Sequence, residues 1–490
     1  MKKLSELVYQ SVKRYPDKQA VICDSQQAPY ADLYGRIERL SQFLLAKAVG
    51  YQDRVAVFLP NSLLFIVSFF ALAKIGAVAL TLHINYKEEE LKNYLKTFRI
   101  KYLISNEQSR ARCEKAIGGS PIKLIIVDAE VHGTVLAAVR KHKHAKIYPE
   151  NEVLCQFSSG STGKLKMVGR TRVNLLREAR SVCSTIGISD KDKVLCSVPL
   201  FHAYGFGSGL MPSLYSGATL ILTDKFNPRQ ILDLLEKEKV TIFFGVPYMF
   251  SMLADATISK KVRLPALKYC FSAGISLPEE VSKKFHQKFA VFVRDLYGTT
   301  ETGCLSMNLN KNIKDTLKSV GLPIQGTKID ILLENGKEAK AGEVGEVAVK
   351  TPTCGPWYYM GIKRKPVLKG GYFYPGDIGK KDKKGNLYIL ARKTSFINVA
   401  GTKVDPKEVE AVLKKYRGVK EAVVVGAPDP LRGEAVKAVI VSDGTPPNKN
   451  KKAILKFCRE RLADFKVPRI VEFRDELPRS ALGKVLKGYL

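Results

Sequence analysis

Residues 219–247, TLILTDKFNPRQILDLLEKEKVTIFFGVP, contain the alternation that decides the fold class. An apolar run, Thr219–Leu222, is followed by a helical pattern over residues 228–239 and by a second apolar run over 241–244. Two apolar strands joined by a helix form a βαβ unit, and such strands lie parallel in a sheet that helices cover on both faces. The stretch therefore predicts an α/β fold whose ligands bind beyond the carboxyl ends of the strands.

The same alternation continues downstream and then gives way to a different pattern. Apolar runs at Tyr269–Ser272 and 291–293 flank a helical pattern over 278–286, so the segment 296–301 is expected to be a loop after a strand. Over residues 321–390, short alternating runs are broken by Gly and Pro. This second pattern predicts a small antiparallel region that resembles a β-barrel.

The chain has 490 residues, which is too long for one compact core. A further change of pattern at residue 392 predicts an α+β domain whose first helix starts at Asp405-Pro406, an N-cap followed by proline at the first helical position. We therefore expect a large N-terminal domain of doubly wound βα subdomains over residues 1–391 and a small C-terminal domain over 392–490.

The charge balance is strongly basic, with 80 Lys and Arg against 47 Asp and Glu and a formal net charge of +33. Such a surface attracts anions, which include nucleic acid, an acidic membrane leaflet, an acidic protein and phosphorylated small molecules. The basic residues are dispersed, there is one Trp, and no zinc-ligand pattern occurs. These features argue against a dedicated nucleic-acid module.

Cysteine spacing and hydropathy indicate the cellular compartment of the protein. The nine cysteines are widely spaced and form no CxxC pair, which predicts reduced thiols in a cytoplasmic protein. The N-terminus lacks the apolar core of a signal peptide. Residues 63–82 are nearly long enough to span a bilayer, but Lys74 and Gly76 interrupt them. A buried helix followed by a buried strand is therefore favoured over a transmembrane segment.

The segment from Phe157 to Lys166, FSSGSTGKLK, is the sharpest local signal for a binding site. Glycines let backbone N–H groups converge on an anion, hydroxyls add donors, and lysines add positive charge. The alternative is a flexible Ser/Gly linker, but the apolar strand that precedes the segment favours a phosphate cradle. The spacing differs from that of the GxxxxGK[ST] loop.

Three further segments are weaker when each is taken alone. Leu296–Glu301 offers an aromatic ring for a base and a carboxylate for Mg²⁺, although its sequence also suits a plain turn. Asp377 follows Tyr374-Pro375-Gly376, where a carboxylate accepts ribose hydroxyls or simply ends a turn. Residues 478–484, PRSALGK, end in a lysine that is either aimed into a site or part of a frayed tail.

In this order and spacing, the four segments resemble the adenylate-forming superfamily, which includes acyl-CoA synthetases, aryl-CoA ligases, luciferases and adenylation domains. Further matches are residues 200–205, LFHAYG, residues 272–274, SAG, and residues 342–346, GEVGE. The resemblance covers essentially the whole chain. It implies that a carboxylate attacks the α-phosphate of ATP to give acyl-AMP and pyrophosphate, and that a thiol then attacks the anhydride. It also implies that the C-terminal domain rotates between the two half-reactions.

The resemblance further implies roles for individual residues. Lys484 would bridge carboxylate and phosphate during adenylation, Thr300 would contact the α-phosphate, and Glu301 would bind Mg²⁺. Predicted nucleotide-binding residues are Ser158, Ser159, Gly160, Ser161, Thr162, Gly163, Lys166, Ser272, Ala273, Gly274, Tyr297, Gly298, Thr299, Asp377 and Arg392. Residues Val399, Ala400 and Gly401 would line the tunnel through which the thiol arrives. Against the family pattern, Arg172 stands where histidine is common and Thr394 where Asp or Lys is frequent.

The sequence indicates the acid substrate and the thiol acceptor less precisely. No acidic residue occurs in residues 201–206 to pair with an α-ammonium, so a fatty or aryl acid without an α-amine is favoured. Expected pocket residues are His202, Tyr204, Phe206, Gly245, Val246 and Pro247, with His202 as a wall rather than a base and the glycines giving room. CoA is favoured as the thiol co-substrate. An acidic acyl carrier protein is the alternative acceptor, and a nucleic-acid- or membrane-surface-binding protein is the more distant alternative.

Overall fold

The computed structural model describes residues 4–23, 26–128, 151–158, 166–257, 262–361, 363–392, 396–444, 450–477 and 490. Within these residues a large α/β domain is followed by a small α+β domain, which confirms the predicted fold class.

The helices and strands of the described residues have the following bounds. The α-helices are α1 (Ser5–Arg14), α2 (Tyr30–Ala46), α3 (Leu63–Ile75), α4 (Glu88–Thr97), α5 (Arg110–Ile117), α6 (Arg172–Ile186), α7 (Met211–Ser216), α8 (Pro228–Lys237), α9 (Pro247–Asp255), α10 (Glu279–Phe289), α11 (Pro406–Leu413) and α12 (Lys451–Arg461). The strands are β1 (Gln19–Cys23), β2 (Gln26–Pro29), β3 (Arg54–Phe58), β4 (Val78–Thr81), β5 (Tyr102–Ser105), β6 (Lys123–Ile126), β7 (Glu152–Ser158), β8 (Lys166–Thr171), β9 (Lys193–Cys196), β10 (Thr219–Leu222), β11 (Ile242–Gly245), β12 (Tyr269–Ser272), β13 (Val293–Thr299), β14 (Gly303–Met307), β15 (Leu322–Pro323), β16 (Lys328–Leu332), β17 (Gly345–Lys350), β18 (Trp357–Met360), β19 (Lys363–Pro366), β20 (Asp377–Lys381), β21 (Leu387–Arg392), β22 (Ile397–Val399), β23 (Thr402–Val404), β24 (Val419–Asp429), β25 (Gly433–Ser442) and β26 (Ile470–Arg474).

The first sheet has nine strands in the order β15-β14-β13-β12-β11-β9-β10-β1-β2. The six strands from β13 to β1 pair in parallel, whereas β2, β14 and β15 pair antiparallel at the edges. In β9, Val194 and Cys196 enter one core and Leu195 the other, so both faces are buried. Helix α8 starts because the Asn227 side chain accepts hydrogen bonds from two backbone N–H groups of its first turn.

The second sheet has eight strands in the order β19-β18-β8-β7-β4-β3-β5-β6, with β8, β18 and β19 antiparallel. Helix α3 buries every residue except Lys74, whose ammonium lies 2.6 Å from the Glu38 carboxylate. The apolar run 63–82 is therefore a buried helix followed by buried strand β4, as predicted. In the part of the chain that the structure describes, no helix combines the length and the apolarity needed to span a bilayer.

Two smaller sheets complete the fold. Strands β16, β17, β20 and β21 form a four-stranded antiparallel sheet, in the region where short alternating strands were expected. In the C-terminal domain, β23, β22, β25 and β24 pair antiparallel and β26 adds in parallel to β25. Helix α11 begins at Pro406 behind the Asp405 cap, as predicted.

The segment 296–301 differs from the expectation of a loop. Residues up to Thr299 belong to β13, and only residues 300–302 form the turn. The strand is extended because β14 folds back on it, with Leu296 opposite Met307 and Thr299 opposite Gly303. The ladder hydrogen bonds therefore hold this segment more firmly than a free loop would be held.

Candidate active site

A cavity of about 950 Å³ lies where the carboxyl ends of the parallel strands face the C-terminal domain. Its wall brings together predicted residues from widely separated parts of the chain. These are Lys166, His202, Tyr204, Ala273, Gly274, Tyr297, Gly298, Thr299, Thr300, Asp377 and Gly401. The wall thus joins residues expected for nucleotide, acid and thiol at one place.

Tyr297 and Asp377 are joined across two sheets. The Tyr297 hydroxyl donates to Oδ2 of Asp377 over 2.6 Å. Asp377 opens β20 directly after Gly376, whose φ of 80° ends the preceding turn. In the antiparallel ladder, Asp377 lies opposite Arg392, so the two residues expected at the ribose are cross-strand neighbours.

Lys166, Tyr358 and Glu301 form a second group, which we call the Tyr358 cluster. The Lys166 Nζ lies 3.2 Å from the centroid of the Tyr358 ring. Burial, and then the nearby Glu301 carboxylate, raise the pKa of the Tyr358 hydroxyl, which places Glu301 beside it. Burial lowers the pKa of Lys166, and the nearby Glu301 charge opposes that shift. Sequence reasoning missed Tyr358, because its place beside the phosphate segment depends on the pairing of β18 with β8.

The turn that carries Thr300 and Glu301 is fixed from behind by a buried ion pair. Arg170 and Glu178, each 1% exposed, lie 2.8 Å apart. The second Glu178 oxygen accepts from the Cys304 backbone N–H over 3.0 Å, just beyond the turn. A Cβ on either Gly207 or Gly303 would collide with the Glu178 carboxylate. Neither charge was singled out from the sequence, where nothing local marks them as partners.

The expected acid pocket is only partly as predicted. Tyr204 lines the cavity and its hydroxyl donates to the Phe271 carbonyl over 2.9 Å. Ala273 and Gly274 follow β12 at the cavity wall, and Gly274 has a φ of 95°. Ser208 and Cys304, which the sequence did not indicate, line the same wall.

Five predicted residues with described side chains are absent from the walls of both cavities, namely Glu301, Phe206, Gly245, Pro247 and Ser272. Phe206 is 1% exposed and packs edge-on against Phe69, with ring centroids 4.7 Å apart. Pro247 starts α9 inside the fold, and Ser272 is fully buried. A Cβ on Gly245 would lie 3.0 Å from the Phe250 ring. The space beside Gly245, where room for the acid was expected, is thus occupied by the Phe250 ring.

His202 lies at the junction of the first cavity and a second one. Burial, with a smaller contribution from Lys403, lowers the His202 pKa to about 4. Its Nδ1 accepts from the Tyr204 backbone N–H over 3.3 Å, so the neutral ring carries its proton on Nε2. His202 thus lines both cavities with its Nδ1 already accepting a backbone hydrogen bond.

The second cavity has a volume of about 400 Å³ and has His202 in its wall. Val399, Ala400 and Gly401 line it, as does Val246, which was expected at the acid. A Cβ on Gly274 would lie 3.3 Å from the Gly401 Cα, so the two domains approach closely at this point. The expected tunnel residues are therefore next to the expected acid pocket.

A buried triad joins the two domains near these cavities. The Lys466 Nζ lies 2.7 Å from Glu90 Oε1 in α4 and 2.7 Å from Glu408 Oε1 in α11. The two carboxylates hold the pKa of Lys466 above its ordinary value, although burial opposes them. Beside this Lys466 triad, the rings of His83 and Phe465 stack with centroids 4.5 Å apart.

Some predicted residues fall outside what the structure describes. The described ranges do not include Ser159, Gly160, Ser161, Thr162, Gly163 and Lys484. For Ser158 and Arg392, only the backbone is described, at the ends of β7 and β21.

Comparisons with known proteins agree with this geometry. The model of the AMP-binding enzyme family matches residues 8–359, and that of the AMP-binding enzyme C-terminal domain matches residues 408–484. A feruloyl-CoA synthase from an Amycolatopsis species is 31% identical over 94% of this chain and 92% of its own length. A long-chain-fatty-acid–CoA ligase from Bacillus subtilis is 30% identical over 100% of this chain and 94% of its own length.

A solved structure gives a conformational comparison as well. The o-succinylbenzoate CoA synthetase of Bacillus subtilis, as a double mutant bound with its product analogue OSB-NCoA, matches with a TM-score of 0.89 and 26% identity, over 99% of this chain and 98% of that one. The same enzyme in complex with the acyl-adenylate intermediate OSB-AMP matches with a TM-score of 0.72 and 26% identity, over 98% and 97%. On the family models and these relatives, the chain belongs to the AMP-binding enzyme family of adenylate-forming ligases.

Proposed function

We propose that this enzyme uses ATP to convert a carboxylic acid without an α-amine into acyl-AMP, with release of pyrophosphate, and then transfers the acyl group to the thiol of CoA. One observation carries the proposal. The two cavities share His202, Tyr204, Gly274 and Gly401 in their walls. An anhydride formed in the first cavity is therefore open to attack by a thiol that arrives through the second.

For the nucleotide, we assign the roles by position in the first cavity. Asp377 would accept the ribose hydroxyls, with Arg392 as its cross-strand neighbour, and Tyr297 would lie against the adenine. Lys166 and Thr300 would hold the phosphates together with residues 159–163 of the glycine-rich segment. Both reacting groups are anionic, so fixed positive charge and in-line positioning are the main contributions that the protein makes.

Glu301 is suited to Mg²⁺, because one carboxylate together with nucleotide phosphates is a common way to hold this ion. Among the described residues, no group of three potential metal-ligating side chains is present, so the phosphates would supply the remaining ligands. The ion would neutralise charge that develops on the phosphates. The carboxylate of the substrate attacks the α-phosphate, the bond to pyrophosphate breaks, and Lys484 would stabilise both groups during this step.

The pocket next to this site favours an uncharged acyl or aryl group. Tyr204, Ala273 and Cys304 contribute no charge to its wall. Asp295 also lines the cavity, but it is 3% exposed and burial raises its pKa well above the usual range. Burial thus disfavours the charged form of Asp295 and weakens it as a partner for an α-ammonium, which would be costly to bury alone.

The second cavity supports CoA as the acceptor. Arg432 and Arg469 stand among its lining residues together with the Phe465 ring. Guanidinium groups suit phosphates and an aromatic face suits a base, and CoA carries both. The better match to the OSB-NCoA complex than to the OSB-AMP complex supports a domain orientation used for thioester formation.

Two further points belong to the same proposal. We place the boundary between the domains between residues 391 and 392, at the end of β21. All nine cysteines are buried thiols outside any disulfide, which supports a reducing compartment such as the cytoplasm.

The function is tested with a panel of fatty and aryl acids, scored for pyrophosphate release with ATP and Mg²⁺ and then for thioester formation. CoA and a holo acyl carrier protein are compared as acceptors. We expect acid-dependent pyrophosphate release and transfer to CoA. We also expect Lys484→Ala to abolish most of the release while it spares transfer from preformed acyl-AMP. If no acid in the panel causes pyrophosphate release, the proposal is contradicted. If the acyl group is transferred to the carrier protein and not to CoA, the carrier protein replaces CoA as the acceptor.

A further inference from the structure

Tyr358 occupies an unusual place between two charges of opposite sign. The Lys166 ammonium lies over its ring, 3.2 Å from the centroid, and the Glu301 carboxylate is near enough to its hydroxyl to raise the hydroxyl pKa in addition to the effect of burial. An ammonium over an aromatic face is attracted by the ring and keeps its outer N–H groups free. A carboxylate that accepts one hydrogen bond likewise keeps its second oxygen free.

The sheet explains why this tyrosine reaches both groups. In the ladder between β18 and β8, Tyr358 lies opposite Val168, and Lys166 is two residues before Val168 on the same face. Tyr359 therefore points to the opposite face, where its hydroxyl contacts the Glu152 carboxylate over 2.6 Å. The neighbouring tyrosines thus serve different sites, although they are adjacent in the chain.

The Glu301 carboxylate is close enough to Lys166 to raise the Lys166 pKa against the effect of burial, yet within the described ranges no direct ion pair joins the two side chains. A direct pair would neutralise both groups before a substrate arrives. Since nucleotide phosphates need the cation and a bound Mg²⁺ needs the carboxylate, such a pair would have to break first.

We propose that Tyr358 is a positioning residue of the nucleotide site, which holds Lys166 and Glu301 apart and ready for the phosphates and their Mg²⁺. The inference rests on the proposed function and adds a residue to it. The ring presents the lysine to the phosphates, and the hydroxyl orients the carboxylate toward the metal. Tyr358 itself takes no part in bond making or breaking.

Equilibrium binding of ATP, measured by calorimetry without any acid substrate, tests this assignment. We expect Tyr358→Leu to weaken Mg²⁺–ATP binding by about tenfold or more, because Lys166 and Glu301 are then free to pair with each other. We expect Tyr358→Phe to raise the Mg²⁺ concentration needed for half-saturation and to leave metal-free ATP binding unchanged. Transfer from preformed acyl-AMP to CoA stays at the wild-type rate in both variants.

Tyr359→Phe is the matched control, since it removes the hydroxyl next in the chain from the other face of the sheet. It should leave ATP affinity unchanged. Thermal midpoints of all three variants identify any loss that comes from unfolding. ATP affinity of Tyr358→Leu within twofold of wild type, or an equal loss in Tyr359→Phe, would overturn the assignment. Wild-type enzyme that binds no ATP would instead refute the proposed function, and the assignment with it.

Discussion

Replacing Lys466 with methionine removes the cation that two carboxylates of different domains share. The ammonium lies 2.7 Å from an oxygen of Glu90 and 2.7 Å from an oxygen of Glu408. The side chains of Lys466 and Glu90 are 4% and 5% exposed, so water cannot replace the lost partner in the observed domain orientation. Methionine fills most of the same volume, which separates the loss of charge from the loss of packing.

The structure gives the expected magnitude. Removing one partner of a buried ion pair costs about 3–5 kcal/mol, because the other charge is left unpaired in a low-dielectric site. Rotation of the C-terminal domain would return Glu90 to water and relieve this cost. The substitution therefore destabilises the observed domain orientation relative to the rotated one. Since about 1.4 kcal/mol corresponds to a factor of ten, the equilibrium between the two orientations shifts away from the observed one by at least about 100-fold.

The assay separates the half-reactions. We expect Lys466→Met to slow thioester formation from preformed acyl-AMP by at least about tenfold, and to leave pyrophosphate release within about twofold of wild type. Lys415→Met is the control. It removes a cation from the same interface, 3.6 Å from Glu89, but those side chains are 63% and 55% exposed. An exposed pair contributes about 0–1 kcal/mol, so little change is expected. Equal slowing of both half-reactions by Lys466→Met would refute the reasoning.

Three further variants or conditions test other contacts. Glu178→Ala leaves Arg170 buried without a partner and should lower the free energy of unfolding by about 3–5 kcal/mol in urea titrations; a loss below about 1 kcal/mol would contradict it. Burial, with Lys466 and His202 nearby, lowers the His83 pKa to about 3. The folded state then binds fewer protons than the unfolded state between pH ~6.5 and that value, so the unfolding free energy should fall as pH falls through this window, by up to about 1.4 kcal/mol per unit. The slope should be shallower in His83→Phe, and an unchanged slope would argue against His83 as its source. Gly401→Ala places a Cβ 2.9 Å from Val246, at a φ of 86°. It should slow thioester formation while pyrophosphate release continues, and equal rates of thioester formation in variant and wild type would count against a tunnel at this point.

Much of the fold could be predicted because local periodicity carries it. The alternation that includes β10, α8 and β11 is visible in the apolar runs, and the caps at Asn227 and Asp405 mark helix starts. The wall of the first cavity was also largely predictable, since short motifs placed Tyr297 and Asp377 there.

What the sequence did not predict depends on contacts between distant residues. Lys466 and Glu90 are 376 residues apart in the chain, and no periodic pattern connects them. The reach of Tyr358 to Lys166 follows from strand pairing at the edge of a sheet. Glycine was also misread. The absence of a side chain suggested space for the acid at Gly245, but the Phe250 ring occupies that space.

The position of the Glu178 carboxylate limits the substitutions that the chain can accept at two glycines. It fills the places where methyl groups on residues 207 and 303 would stand, and it also caps the Cys304 amide. Gaining an alanine at either glycine without first shortening residue 178 forces two atoms into one volume. The three positions are therefore sterically coupled: an added Cβ at residue 207 or 303 requires the Glu178 carboxylate to move or residue 178 to be shorter.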